Sequence, residues 1–168
     1  LNEEFPDGVV NTVTGYGSEV GDYLVCSPEV DKISFTGSVT TGLMISQKAG
    51  MKKVTLELGG NDPMVVLNDA DIDKAVKGVI NGAFLNAGQV CMGVKRIIIE
   101  DEIADEFAEK LVKETEKLVM GNPLDIKTTL GTLISENAAR QVEETVNNAV
   151  KGGANILTGG KRKGAFYE

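Results

Sequence analysis

The chain contains no histidine. That absence excludes Ser-His-Asp and Cys-His catalysis within these residues, and any His-ligated zinc site. Tryptophan is also absent and aromatic residues make up only 5% of the chain, so a core must be packed from Val, Ile, Leu and Ala. Cysteine is scarce: Cys26 and Cys91 are too few for a four-cysteine metal site, and no metal is expected. A structural disulfide is not expected either, and the chain reads as cytoplasmic. Cys26, in Leu24-Val25-Cys26, reads as a buried small hydrophobe. Positive charge is in deficit, with 17 Lys+Arg against 25 Asp+Glu, a net charge of −8 and a pI near 4.7. Phosphate contact needs a Lys/Arg surplus, so nucleic acid is not an expected partner. The acidity reads as a solvated surface. No apolar run approaches the roughly 18 residues of a membrane span. No targeting segment is visible, although the first residue is Leu rather than Met.

What is present suffices for a core: 168 residues, 42% of them hydrophobic. The first part alternates strand and helix patterns. Residues 9–13 read as a strand closed by Gly15-Tyr16-Gly17, and Ser18 is placed to cap a short helix containing Val20, Leu24 and Val25. Residues 31–35 form a second strand, Val39–Lys48 a helix and residues 54–58 a third strand. Short links between these elements imply a parallel sheet. Beyond Gly59-Gly60, the apolar run Met64-Val65-Val66-Leu67 reads as a strand buried on both faces. A helix follows Asp69-Ala70-Asp71, with Ile72, Ala75, Val76, Val79, Ile80, Ala83 and Phe84 as its apolar stripe. It aims at the loop holding Cys91. Residues 95–100 read as a strand and 102–119 as a helix with Ile103, Phe107, Leu111 and Leu118 inward. Ser135 caps a further helix with Ala138, Ala139, Val142, Val146 and Ala149 inward. Residues 155–158 read as a last strand, and 159–164 as an exposed turn. The boundary between two parts is expected at 58–61, where the glycines fall.

Three segments carry candidate chemistry. In Phe35-Thr36-Gly37-Ser38-Val39-Thr40-Thr41-Gly42 a strand feeds a helix, whose N-terminal N–H groups bind phosphate while Ser38 adds a hydroxyl. Its glycine spacing is not the G-x-G-x-x-G of the common dinucleotide fingerprint. Glu57, in Leu56-Glu57-Leu58-Gly59-Gly60, ends an apolar strand where partial desolvation would suit a general base. Cys91, in Gly88-Gln89-Val90-Cys91-Met92-Gly93, sits among glycines that let backbone donors approach a substrate. Taken singly, each has an ordinary structural reading: a strand-to-helix turn, a surface carboxylate, a packing thiol.

Taken together, Phe-Thr-Gly-Ser at 35–38, Leu-Glu-Leu-Gly-Gly at 56–60 and Gly-Gln-Val-Cys at 88–91 resemble the aldehyde dehydrogenase superfamily. Gly8-Val9-Val10-Asn11, Gly15-Tyr16-Gly17, Asn68-Asp69-Ala70-Asp71 and Gly121-Asn122-Pro123-Leu124-Asp125 extend the resemblance along nearly the whole chain. It implies part of a three-layer α/β fold with a parallel sheet. Residues 1–58 would be the later part of a dinucleotide-binding domain and 59–168 the start of a catalytic domain. It implies NAD or NADP as cofactor, with Ser38 at the pyrophosphate, Gly37 and Gly42 shaping the helix start, and Leu58 and Gly59 by the nicotinamide. Cys91 would attack the aldehyde, its N–H and an Asn side chain would hold the oxyanion, and Glu57 would activate water to hydrolyse the thioester.

Length departs from the family. The segments bearing the oxyanion Asn, the ribose contacts and the oligomerisation strand have no counterpart here. The chain therefore reads as an internal fragment, inactive alone, of an enzyme that forms homodimers or homotetramers. Two alternatives remain. A CoA-acylating dehydrogenase typically lacks the equivalent of Glu57, and a non-catalytic binding or structural relative would not need Cys91.

Overall fold

The computed structural model describes residues 4–168. They form two compact units that divide between Gly59 and Gly60. Both are α/β with parallel strand pairing.

In the first unit a π-helical turn, Gly17–Gly21, runs into a short helix α1, Asp22–Cys26. Strand β1 (Lys32–Gly37), helix α2 (Val39–Lys48) and strand β2 (Lys53–Leu58) follow. β1 and β2 pair in parallel, with Phe35 opposite Leu56, Thr36 opposite Glu57 and Gly37 opposite Leu58. Period-two alternation turns Ile33, Phe35, Val54 and Leu56 toward Val25, Ile45 and Ala49 of the helices. An ion pair of 2.8 Å links Asp22 to Lys48 and raises the Lys48 pKa, chiefly through that hydrogen bond.

Three expectations for this unit are corrected. Residues 9–13 form no strand, and Val9 and Val13 stand 58% and 70% exposed. Among the described residues no neighbouring strand takes up their backbone groups, and an apolar pattern alone does not make a ladder. The first turn begins after Tyr16, with no side-chain cap from Ser18. Cys26 is exposed because its helical neighbour Val25 occupies the inward position.

The second unit opens with β3 (Pro63–Val66) and α3 (Ile72–Phe84). β4 (Arg96–Ile99) pairs parallel to β3, Val66 lying opposite Ile99. Helices α4 (Asp101–Thr115) and α5 (Glu136–Lys151) follow. The core is Val66, Val76, Val79 and Phe107, surrounded by Met64, Ile72, Ala75, Ala83, Ile97, Ile99, Ile103 and Leu111. α3 starts at Asp71, whose carboxylate accepts the Lys74 N–H, and α5 at Ser135, whose hydroxyl accepts the Ala138 N–H. On α5, Ala139 is fully buried and Ala138 and Val146 half-buried, but Val142 and Ala149 are exposed, narrowing the expected stripe.

β3 is covered on one face only. Val65, opposite Ile98, is 61% exposed and Ile98 50%, because the helices that pack on this pair do so through Met64, Val66, Ile97 and Ile99. Residues 155–158 make no strand; Ile156 and Leu157 instead line a groove of about 770 Å³ beside α4. The expected exposed turn at 159–164 is a half-buried hairpin. β5 (Arg162–Lys163) pairs antiparallel with β6 (Phe166–Tyr167), and Arg162 Nε donates to Glu143 of α5 at 2.7 Å. Among the described residues no helix is long and apolar enough to cross a membrane.

Candidate active site

The first unit gathers six of the expected site residues at the carboxyl ends of its two parallel strands. That edge is where open α/β sheets bind ligands. β1 ends at Gly37 and α2 begins at once, because Ser38 takes an extended conformation and caps it. The Ser38 hydroxyl accepts the Thr41 N–H at 3.1 Å and lies 2.9 Å from the Thr41 hydroxyl. Gly42 is buried, and a Cβ there would stand 2.6 Å from Leu58 Cδ2. The first turn of α2 therefore rests directly on the end of β2. That turn carries no acidic side chain, and the N–H groups of Val39 and Thr40 have no acceptor among the described residues. Neutral donors at a helix N-terminus suit an anionic group such as a pyrophosphate.

Glu57 lies one residue before Leu58, cross-strand from Thr36. It is exposed rather than partly desolvated, because the alternation that turns Leu56 and Leu58 inward turns Glu57 outward. Gly59 is exposed, with open space around it.

Cys91 lies in the second unit. α3 ends at Phe84, and a tight turn over Leu85–Gly88 holds Asn86 and Ala87 at φ 51° and 54°. Left-handed backbone is tolerated by Asn but costs an alanine of order 1 kcal/mol or more. Cys91 and Met92 are the exposed central residues of a turn closed by Gly93 N–H donating to Val90 O at 3.2 Å. Gly93 is buried, and a Cβ there would come within 3.1 Å of the Gly82 carbonyl on α3. Val94 N–H donates to that same carbonyl at 3.0 Å, so the turn sits directly on the helix end.

Three side chains that the sequence did not single out as site residues surround this turn. Lys95 Nζ reaches Asp62 at 2.7 Å, the Cys91 carbonyl at 2.8 Å and the Gly93 carbonyl at 3.1 Å. The Lys95 hydrogen bond, with a backbone N–H behind it, holds the Asp62 carboxyl below the usual carboxylate range. Gln89 accepts the Ile134 N–H at 2.8 Å and donates to the Asn86 and Thr132 carbonyls at 3.0 and 3.3 Å. The available signals were a lysine four positions past the thiol and an aspartate just after Gly59-Gly60.

The sequence model of the aldehyde dehydrogenase family matches residues 1–168. A lactaldehyde dehydrogenase of Methanococcus aeolicus is 49% identical over 165 residues, covering 98% of this chain and 36% of the relative. A 3-sulfolactaldehyde dehydrogenase of Priestia megaterium is 46% identical, covering 96% and 34%. Among solved structures, glyceraldehyde-3-phosphate dehydrogenase of Methanocaldococcus jannaschii, complexed with NADP, superposes with a TM-score of 0.89 at 48% identity over 92% of this chain and 34% of that one. Betaine aldehyde dehydrogenase of Staphylococcus aureus, complexed with NAD+, superposes at 0.94 with 38% identity over 98% and 34%. The chain thus spans about a third of the length of the relatives it matches. Matched by the family model along its whole length, and close to half identical to its curated relatives, the chain belongs to the aldehyde dehydrogenase family.

Proposed function

We propose that this chain carries the nucleophile and the water-activating base of an NAD(P)-dependent enzyme that oxidises an aldehyde to a carboxylic acid. The observation that carries the reading is the Cys91 turn: an exposed thiol whose own N–H has no acceptor among the described residues. The Cys91 thiolate adds to the aldehyde carbon, a C–S bond forms, and the carbonyl electrons move to oxygen. The Cys91 N–H donates to that oxyanion. A nicotinamide dinucleotide, when bound, would accept hydride from that carbon, the C–H bond breaking as the carbonyl re-forms as a thioester on Cys91. Glu57 then takes a proton from water, the oxygen adds to the thioester carbon, and the C–S bond breaks to release the acid and the thiolate. With no histidine in the chain, Glu57 is the base this reading names.

The residues at the ends of β1 and β2 fit the dinucleotide. Ser38 and the open N–H groups of α2 suit its pyrophosphate, Gly37 and Gly42 keep the helix start low against β2, and Leu58 and Gly59 border the reacting ring. Turnover is a property of the intact protein, since the chain spans about a third of its relatives' length.

The named relatives suggest a substrate class. Lactaldehyde, 3-sulfolactaldehyde and glyceraldehyde 3-phosphate are three-carbon aldehydes with a hydroxyl on the carbon beside the carbonyl. The test is an aldehyde panel on the intact protein with NAD and with NADP. Reduction of cofactor with lactaldehyde above betaine aldehyde, and free acid as product, is the expected result. Product formed only as an acyl-CoA would overturn the role of Glu57, and no cofactor reduction with any aldehyde would overturn the reading.

A further inference from the structure

Four oxygen atoms converge on the Lys95 ammonium: Asp62 Oδ2 at 2.7 Å and the carbonyls of Cys91, Gly93 and Val90 at 2.8, 3.1 and 3.4 Å. The described residues include no cis peptide bond. In a trans peptide the C=O and the following N–H point in opposite directions. Because the Val90 and Cys91 carbonyls turn toward the ammonium, the N–H groups of Cys91 and Met92 turn away from it. Neither N–H has an acceptor among the described residues.

The ammonium is itself anchored. Its partner Asp62 accepts the Lys95 and Arg96 N–H groups on its own carbonyl at 3.0 and 3.3 Å, and Arg96 Nε donates to the Asn61 carbonyl at 3.0 Å. The start of β3 and the start of β4 thus form one fixed frame, and the lysine side chain extends that frame to the turn. Without a cation there, the three carbonyls lose their common partner, and among the described residues the Val90–Cys91 peptide is held at its carbonyl by the Gly93 N–H alone, at 3.2 Å.

We propose that Lys95, charge-balanced by Asp62, is a positioning residue that fixes the Cys91 N–H as an oxyanion donor. The proposal rests on the reading of Cys91 as nucleophile. Lys95 acts on the direction of the donor and not on the attack of the sulfur itself. Two reactions of Cys91 separate these effects. Acylation by p-nitrophenyl acetate adds the thiolate to an ester carbon, builds negative charge on oxygen, and expels nitrophenolate as the carbonyl re-forms. Alkylation by iodoacetamide forms the C–S bond as iodide leaves and builds no oxyanion.

The experiment uses the intact protein, with alkylation read at the plateau of its pH profile. In Lys95→Met, ester acylation and kcat/KM for aldehyde fall together by about 10- to 100-fold, while plateau alkylation changes by less than about threefold. Lys95→Arg recovers acylation in part. Asp62→Asn, which keeps the ammonium, shows the same split at smaller amplitude and serves if Lys95→Met does not fold. Acylation that is unchanged, or that falls only in step with alkylation, overturns the proposal. Cys91→Ala is the separate control: full turnover in that variant sinks the nucleophile reading whatever Lys95 does.

Discussion

Gly42 lies so close to Leu58 that a Cβ on the glycine would stand 2.6 Å from Leu58 Cδ2. The contact joins α2 to β2 at the edge where Ser38 and Glu57 also lie. It couples the height of the helix start to the strand that carries the proposed base.

Gly42→Ala forces Leu58 or the helix to move. Overpacking of this kind costs about 1–3 kcal/mol. Dinucleotide affinity of the intact protein, read by fluorescence titration, is expected to weaken along with urea stability. Unchanged affinity and stability together would mean that α2 does not need its present seat.

Glu57→Gln removes the base but keeps the shape. The first-turnover burst of reduced cofactor is expected to survive, while steady-state turnover falls by about 10²- to 10⁴-fold as thioester hydrolysis becomes limiting. Rapid-quench measurement of acyl-enzyme should show it accumulating. A normal steady-state rate would refute the assignment.

Ala87 holds φ 54° without being a glycine. Ala87→Gly relieves that strain, and the gain is reduced by the greater freedom of glycine in the unfolded chain. A net increase of up to about 1 kcal/mol is expected, read as a higher urea midpoint at unchanged slope. A lower midpoint would show that the left-handed turn is not strained.

Asp62 has a folded pKa below its ordinary value because Lys95 binds its ionised form. Its contribution to stability is therefore present above the unfolded value of about 4 and is lost as pH falls through the lower folded value. Urea titrations of wild type and Asp62→Asn should differ at neutral pH and converge as the pH falls below 4. A gap that stays constant or widens would contradict the sign.

Much of this fold was legible because it is local. Gly37 and Ser38 stood just before the expected helix, and α2 spans Val39–Lys48 as its pattern predicts. The spacing of Val76 and Val79 marked the buried face of α3, and both are core residues. Residues 9–13 and 155–158 carried the same kind of apolar signal and make no strand, because a strand depends on a partner that its own residues do not encode. Cys26 and Val25 are equally apolar neighbours, and only the packing decided which faced inward. At the candidate site, the motif residues at 37–42 and 57–59 meet because a parallel register joins the ends of their two strands. The Lys95–Asp62 pair joins residues 33 positions apart, and no local pattern announces such a contact.

The amide of Gln89 has a consequence for register. Its oxygen accepts from Ile134 N–H and its nitrogen donates to Thr132 O, the two-point pattern by which a parallel strand grips residues on either side of its opposite number. Leu133, between them, donates its N–H to Ala165 in the hairpin turn. Residues 132–134 are thus indexed on one edge by a side chain that imitates a peptide and on the other by a true one. The segment cannot slip by a residue against the Cys91 loop without breaking both grips, and a glutamate at 89 would set an acceptor against the Thr132 carbonyl and erase the index.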